Sequence, residues 1–288
     1  MNCSKRIAKC ILISSVVLAF QSCSSNNKVP EKSAEEKKFE LYYNHGTGAL
    51  MKNNYTKALD LLLQAYRMKQ NDPKVLNNLG MAYYFKGQIG LAVKNLSKAL
   101  ELEPKNSDAR TNLGGIYFQK GQNKEAEKQY QIVLKDLVYP HQYRTNYNLA
   151  LISLKRGNRP TAIEYLNKSI QERGDYCPSR HQLGILYRQE ARFSSALKHL
   201  EEASSGACFK NPQSVYELAK TYMITGDYNR AKVKYELLLG HYPKSEFAEN
   251  VKIELEKALE ALEQREKTKK AMIPKKTKAA NVYETPNL

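Results

Sequence analysis

Along most of the chain, apolar and small residues recur at one fixed spacing. From about residue 37 onward, an apolar residue followed by a small one stands three residues before an aromatic. The pattern is Leu79-Gly80 with Tyr83, Leu113-Gly114 with Tyr117, Leu183-Gly184 with Tyr187 and Leu218-Ala219 with Tyr222. Weaker copies are His45-Gly46 with Ala49 and Leu149-Ala150 with Ser153. The small residues at 46, 80, 114, 150, 184 and 219 lie 34, 34, 36, 34 and 35 residues apart. Twelve residues after each comes an alanine (58, 92, 126, 162, 196 and 231), and four beyond that a large apolar residue: Leu62, Leu96, Tyr130, Leu166, Leu200 or Tyr235. Turn signals such as Lys86-Gly87-Gln88, Lys120-Gly121-Gln122 and Thr225-Gly226-Asp227 separate the two halves of a unit. A period of this length is the mark of a stacked repeat, in which one unit cannot bury its own apolar face. The small residues let two antiparallel helices approach closely, and the large ones fill the holes between neighbouring pairs.

The pattern resembles the tetratricopeptide repeat, six copies of it over residues 39–244. The resemblance implies an all-α fold, a right-handed superhelical solenoid. Such a stack needs a polar cap. Phe247, Val251, Leu255, Leu259 and Leu262 form an apolar stripe at helical steps within 245–266, which predicts the capping helix. Residues 267–288 carry Lys267, Lys269, Lys270, Lys275, Lys276 and Lys278 with two prolines and read as a disordered basic tail. That tail either solubilises the end of the chain or binds an anionic lipid or wall polymer.

Gly and Pro are too few, at 14 and 10 in 288 residues, for a many-turned all-β fold. The net charge of +17 admits nucleic acid, an anionic membrane or an acidic polymer as partner, and the compartment decides among them. The N-terminus supplies the compartment. A short basic stretch is followed by apolar Ile11 to Phe20, too short to span a hydrocarbon core of roughly 30 Å as a helix. The segment ends Ala19-Phe20-Gln21-Ser22-Cys23, which resembles a lipoprotein signal: 1–22 removed, Cys23 acylated, and 23–38 left as a polar tether. Phe20 and Gln21 depart from the usual residues there. Ser24 resembles the outer-membrane sorting pattern of enterobacterial lipoproteins. The expected location is the periplasmic face of the outer membrane, held by lipid, which removes nucleic acid from the partner classes.

Export also simplifies the cysteines. Cys3 and Cys10 leave with the signal, which leaves Cys177 and Cys208 in an oxidising compartment, where an even pair reads as a disulfide rather than two free thiols. In the repeat register both fall at the same end of the fifth helix pair.

In the repeat class that this chain resembles, the first helix of each pair lines the concave face. Two residues before successive small residues stand Asn44, Asn78, Asn112 and Asn148, then Gln182 and Glu217. The four asparagines predict a ladder of amides able to hold an extended peptide backbone, unless Asn is there only because it is common at that place in the class. Met81, Tyr84, Phe85, Phe118, Leu151, Leu154 and Ile185 flank it, an apolar strip suited to a partner's helix or strand. Co-chaperone solenoids clamp acidic tails with Lys and Asn, and here Asn77, Asn78 and Asn112 lack the accompanying cations.

The approach to the fourth repeat, Asp136-Leu137-Val138-Tyr139-Pro140, holds the two-residue insertion. With the compact plan of signal, tether, six repeats and cap, and with the late cysteine pair, it resembles the type IV pilus pilotin lipoproteins of the PilF, PilW and Tgl type. That implies an outer-membrane protein that helps the pilus secretin localise and assemble. The basic tail departs from the family, and suits the alternative of a periplasmic adaptor that scaffolds cell-wall hydrolases or synthases. No enzyme is expected. The five histidines show no metal-ligand spacing, and there is no phosphate loop or nucleophile elbow, so neither a metal nor a cofactor is implied.

Overall fold

The computed structural model describes residues 32–272. The predicted signal 1–22, Cys23, the tether up to residue 31, and Lys275, Lys276 and Lys278 lie outside the described residues. Within them the chain is helical throughout, without strands. Six antiparallel pairs follow one another: α1 (Ala34–Met51) with α2 (Tyr55–Met68), α3 (Pro73–Phe85) with α4 (Ile89–Leu102), and α5 (Ser107–Gln119) with α6 (Asn123–Val133). Then come α7 (Gln142–Lys155) with α8 (Arg159–Glu172), α9 (Cys177–Gln189) with α10 (Phe193–Ala203), and α11 (Pro212–Ile224) with α12 (Tyr228–His241). A 3-10 turn, Gly206–Lys210, precedes α11, and a long helix α13 (Ala248–Met272) closes the stack.

Each pair is held by the recurring residues. Ala58, Ala92, Ala126, Ala162, Ala196 and Ala231 are fully buried, as are Leu62, Leu96, Tyr130, Leu166, Leu200 and Tyr235. The small residue opposite them sets the spacing of the helices. A Cβ placed on Gly80 would sit 2.7 Å from Leu96 Cγ, and one on Gly184 2.5 Å from Leu200 Cγ. Each second helix also packs on the next first helix, so the core runs continuously through the stack.

The turn within each pair puts one residue in the left-handed region. Gly87, Gly121, Gly157 and Gly226 take it at φ near +75°, and Asn53 and Ala191 take it at +58° and +55°. An alanine there meets its own carbonyl, so the geometry is imposed on the fifth pair by its neighbours. Helix starts are capped in sequence: Asp72 Oδ1 accepts from the N–H groups of Lys74 and Val75, and Asn106 Oδ1 accepts from Ala109 N–H.

The ends differ from the sequence reading. α1 begins at Ala34, capped by Ser33, so residues 34–38 of the expected tether are already helix. α13 extends to Met272, which places Lys267, Lys269 and Lys270 on an exposed helix rather than in a disordered tail. Its Glu263–Lys267 pair at i,i+4 supports that last stretch. The buried face of α13 is Ala248, Val251 and Ala258, with Phe247 and Leu255 packed on the core around Val251. Leu259 is exposed, because it lies one residue, about 100° of helix, away from Ala258.

Candidate functional site

The first helices α1, α3, α5 and α7 touch in succession, as do α9 and α11, and they form the inner wall of the solenoid. Across the first three runs a chain of side-chain hydrogen bonds. Thr47 donates to the Tyr43 carbonyl at 2.8 Å. Asn78 Nδ2 donates to Thr47 Oγ1 at 2.8 Å and approaches the Tyr43 hydroxyl at 3.4 Å. Asn77 Nδ2 donates to Asn78 Oδ1 at 3.0 Å, and Asn112 Nδ2 donates to Asn77 Oδ1 at 2.9 Å. Burial raises the Tyr43 pKa, so its hydroxyl stays protonated.

This run differs from the expected ladder. Asn78 and Asn112 are joined, but through Asn77, which stands one residue before Asn78 and so about 100° round the helix. Asn44 is exposed and lines two shallow hollows, one with Lys52 and Asn54, the other with Glu40 and Lys74. Asn148 is half-buried near the Tyr130 hydroxyl. The linked rungs are therefore Thr47, Asn78, Asn77 and Asn112. The cause is stagger: neighbouring helices offer adjacent positions rather than the same one. Much of the amide capacity bonds repeat to repeat.

The apolar flank is only partly covered, with Tyr84, Phe118 and Leu154 packed against the core on one side. Met81, Tyr84, Phe118, Leu151, Leu154 and Ile185 are half-buried and Phe85 is exposed. Phe85 turns to the edge, stacked on Tyr55 of α2 with ring centroids 4.5 Å apart. Lys155 Nζ sits 3.9 Å above the Phe118 ring.

Further along, the same wall changes chemistry. Glu217 of α11 occupies the position that holds asparagine in the early repeats, and it is 8% exposed. Arg188 of α9 donates to Glu217 Oε2 at 2.5 Å, and Lys220 stands 3.4 Å from Oε1. His181 Nδ1 lies 3.0 Å from Ser214 Oγ, and burial lowers its pKa against the pull of Glu217. Sequence reading named Glu217 but missed Arg188, which comes from the preceding repeat. The signal available was a cation one repeat upstream of a carboxylate.

At one end of the fifth pair, Cys177, the first residue of α9, is joined to Cys208 in the 3-10 turn, with Cα atoms 5.5 Å apart. The bond ties the fifth pair to the start of the sixth.

The insertion before α7 forms a feature that sequence reading did not single out as a site. Leu137 and Val138 are each 89% exposed. With Pro104, Lys105, Ser107, Arg110, Ile132, Lys135 and Asp136 they line a cleft of about 480 Å³. Beside it Tyr139, His141, Tyr143, Tyr176 and Tyr147 meet edge to face in succession. Burial is the first cause that pushes the Tyr176 pKa up to about 12.

Among the described residues no group of three or more His, Cys, Asp or Glu side chains is placed to hold a metal ion. Nor is any helix among them long and apolar enough to cross a membrane.

Two family profiles match the chain, one described as TPR repeat over residues 82–121 and one as tetratricopeptide repeat over 117–176. The photosystem I assembly protein Ycf3 of Prochlorococcus marinus (strain MIT 9301) is 29% identical over 101 residues, 34% of this chain and 58% of that protein. The type IV pilus assembly protein PilF of Pseudomonas aeruginosa is 24% identical over 151 residues, 52% of this chain and 60% of that protein. The chain thus spans about 60% of the length of these curated relatives. A solved structure of P. aeruginosa PilF superposes with a TM-score of 0.65 at 22% identity, covering 77% of this chain and all of that one. A structure of PilW, a type IV pilus biogenesis factor, superposes at 0.64 and 18% identity, covering 77% and 99%. These likenesses establish the fold: the six helical pairs are tetratricopeptide repeats in a solenoid.

Proposed function

We propose that this tetratricopeptide-repeat solenoid is a non-catalytic, lipid-anchored protein of the outer membrane, facing the periplasm. It binds a segment of a protein partner along its inner wall, and through that contact promotes the localisation and assembly of the type IV pilus secretin. The observation that carries the binding reading is the inner wall itself. Its amides on α3 and α5 are fixed by one another, while Met81 of α3, and further along the wall Leu151 of α7 and Ile185 of α9, are left without full cover. A fixed polar run with partly covered apolar side chains along the same wall suits an extended or helical guest, which covers the apolar strip and adds bonds to lone pairs already held in place. The pilus reading is supported by the likeness to PilF and PilW. The anchor rests on the Ser22-Cys23 junction.

The alternative, an adaptor for cell-wall enzymes, is favoured by one observation. Lys267, Lys269 and Lys270 are exposed on α13, where an anionic polymer or lipid can reach them.

One experiment separates the two readings. The gene is deleted, unheated outer membranes are run on a gel, and the pilus secretin is detected by antibody. The pilotin reading expects the heat-resistant multimer to vanish while the monomer persists. It expects rescue by the wild-type gene, but none by Cys23→Ala or by a Met81→Glu, Leu151→Glu double variant. An unchanged multimer overturns it and turns attention to cell-wall enzymes retained by the solenoid.

A further inference from the structure

The five connections that join one repeat to the next are not alike. The one between α6 and α7 is lengthened by two residues, and those extra residues bring two aliphatic side chains into water. Leu137 and Val138 are 89% exposed, and Ile132 at the end of α6 is 38% exposed beside them. The backbone that carries them is nonetheless fastened on both sides. Before the pair, Asp136 Oδ2 accepts from Ser107 Oγ at 2.6 Å and its carbonyl accepts from Gln142 Nε2 at 2.5 Å. After it, the Tyr139 hydroxyl donates to Asp108 Oδ1 at 2.7 Å. The Asp136 carbonyl also receives Tyr139 N–H at 3.1 Å, which closes the turn. Side chains that could fold back onto the solenoid are thus held away from it. An apolar pair displayed by a fastened turn marks an interaction surface.

The charge around the pair says what it takes. Lys105, Arg110 and Lys135 line the same cleft, and none is in an ion pair among the described residues. Arg110 is half-buried and donates only to neutral oxygens, Gln129 Oε1 at 2.9 Å and the Pro104 carbonyl at 2.7 Å. The one carboxylate in the lining, Asp136, is engaged by Ser107. Asp136 keeps its negative charge there, so three cations face one carboxylate, and the cleft is an aliphatic floor with a rim of net positive charge.

We propose that this cleft is a second docking site, separate from the inner wall, for a linear segment of a partner protein in which aliphatic residues alternate with carboxylates. Aliphatic side chains cover Ile132, Leu137 and Val138, and the carboxylates meet Lys105, Arg110 and Lys135. A polyanion without apolar groups gains only the second contact, and an apolar helix only the first.

The test uses the purified full chain and a fluorescein-labelled peptide alternating glutamate with leucine, read by anisotropy. The expected result is saturable binding, weakened about tenfold in a Leu137→Ser, Val138→Ser double variant and severalfold in Lys135→Glu. These side chains are exposed, so the fold is kept, and circular dichroism checks it. Asn78→Ala on the inner wall leaves this binding unchanged. Four outcomes overturn the proposal: no binding to the wild-type chain; equal binding to the serine variant; polyphosphate or polyglutamate binding as tightly as the peptide; or loss of binding with Asn78→Ala in place of the loop variants.

Discussion

The inner wall of the first three repeats and that of the last two are built on the same positions with opposite chemistry. In α1, α3 and α5 the helices are joined by neutral groups, Thr47, Asn78, Asn77 and Asn112, each bond near 2.8–3.0 Å. In α9 and α11 the same register holds Glu217 against Arg188, a pair whose side chains are 10% and 18% exposed. The late repeats also carry the Cys177–Cys208 crosslink and are sealed by α13. A neutral amide run loses little when one rung goes, because water or a guest replaces the bond. A shielded ion pair loses much, because the orphaned charge stays shielded from water. On the proposed binding role, a guest can take the place of a bond on the inner face of the early repeats at little cost, while the late repeats form a fixed end.

The largest expected effect comes from the crosslink. Cys177→Ser with Cys208→Ser reopens a loop of about thirty residues, worth roughly 3–4 kcal/mol in the chain-entropy model before strain is subtracted. Hydrogen exchange should accelerate in α9 to α11 and stay unchanged in α1 to α5. Uniform acceleration would show that the two ends are not independent. Thiol titration of the unreduced, unfolded mature protein should find no free Cys177 or Cys208.

Next is Glu217→Ala, which leaves Arg188 unpaired in a shielded site at a cost of about 3 kcal/mol. Urea unfolding should show the loss, and Glu217→Gln should recover part of it by keeping a hydrogen bond. On the early side, Asn78→Ala removes the bond to Thr47 and the acceptor of Asn77, for about 1 kcal/mol. A loss equal to that of Glu217→Ala would erase the contrast between the two walls.

The smallest effect is one of pH. His181 and His199, both in the fifth repeat, have pKa values lowered first of all by burial. The unfolded chain then binds more protons than the folded one just below the ordinary histidine value of 6.5. Stability is whole above that value and declines as pH falls through it. The fall should be read in α9–α11 rather than α1–α5, and it should shrink in His181→Asn.

The repeat ruler was legible because burial imposes it. Every alanine and large residue that the spacing singled out in the second helices is inaccessible to solvent. The amide run was half legible. Asn78 and Asn112 were found from register, but Asn77 and Thr47 were not, because a hydrogen bond between staggered helices does not respect equal positions. The loop at Leu137 was visible as an insertion, yet nothing in its composition told that its apolar pair faces water. Most Leu and Val in such a chain are core.

What the sequence alone determined is the stack: six pairs, their small-residue contacts and the place of the cap. These follow from local periodicity, where each residue answers mainly to its own helix and the next. The tertiary structure decided which side chains of neighbouring repeats meet. Arg188 finds Glu217, Asn112 finds Asn77, and Leu137 finds nothing, because the stagger and the fastened turns set distances between residues some thirty positions apart that no local pattern encodes.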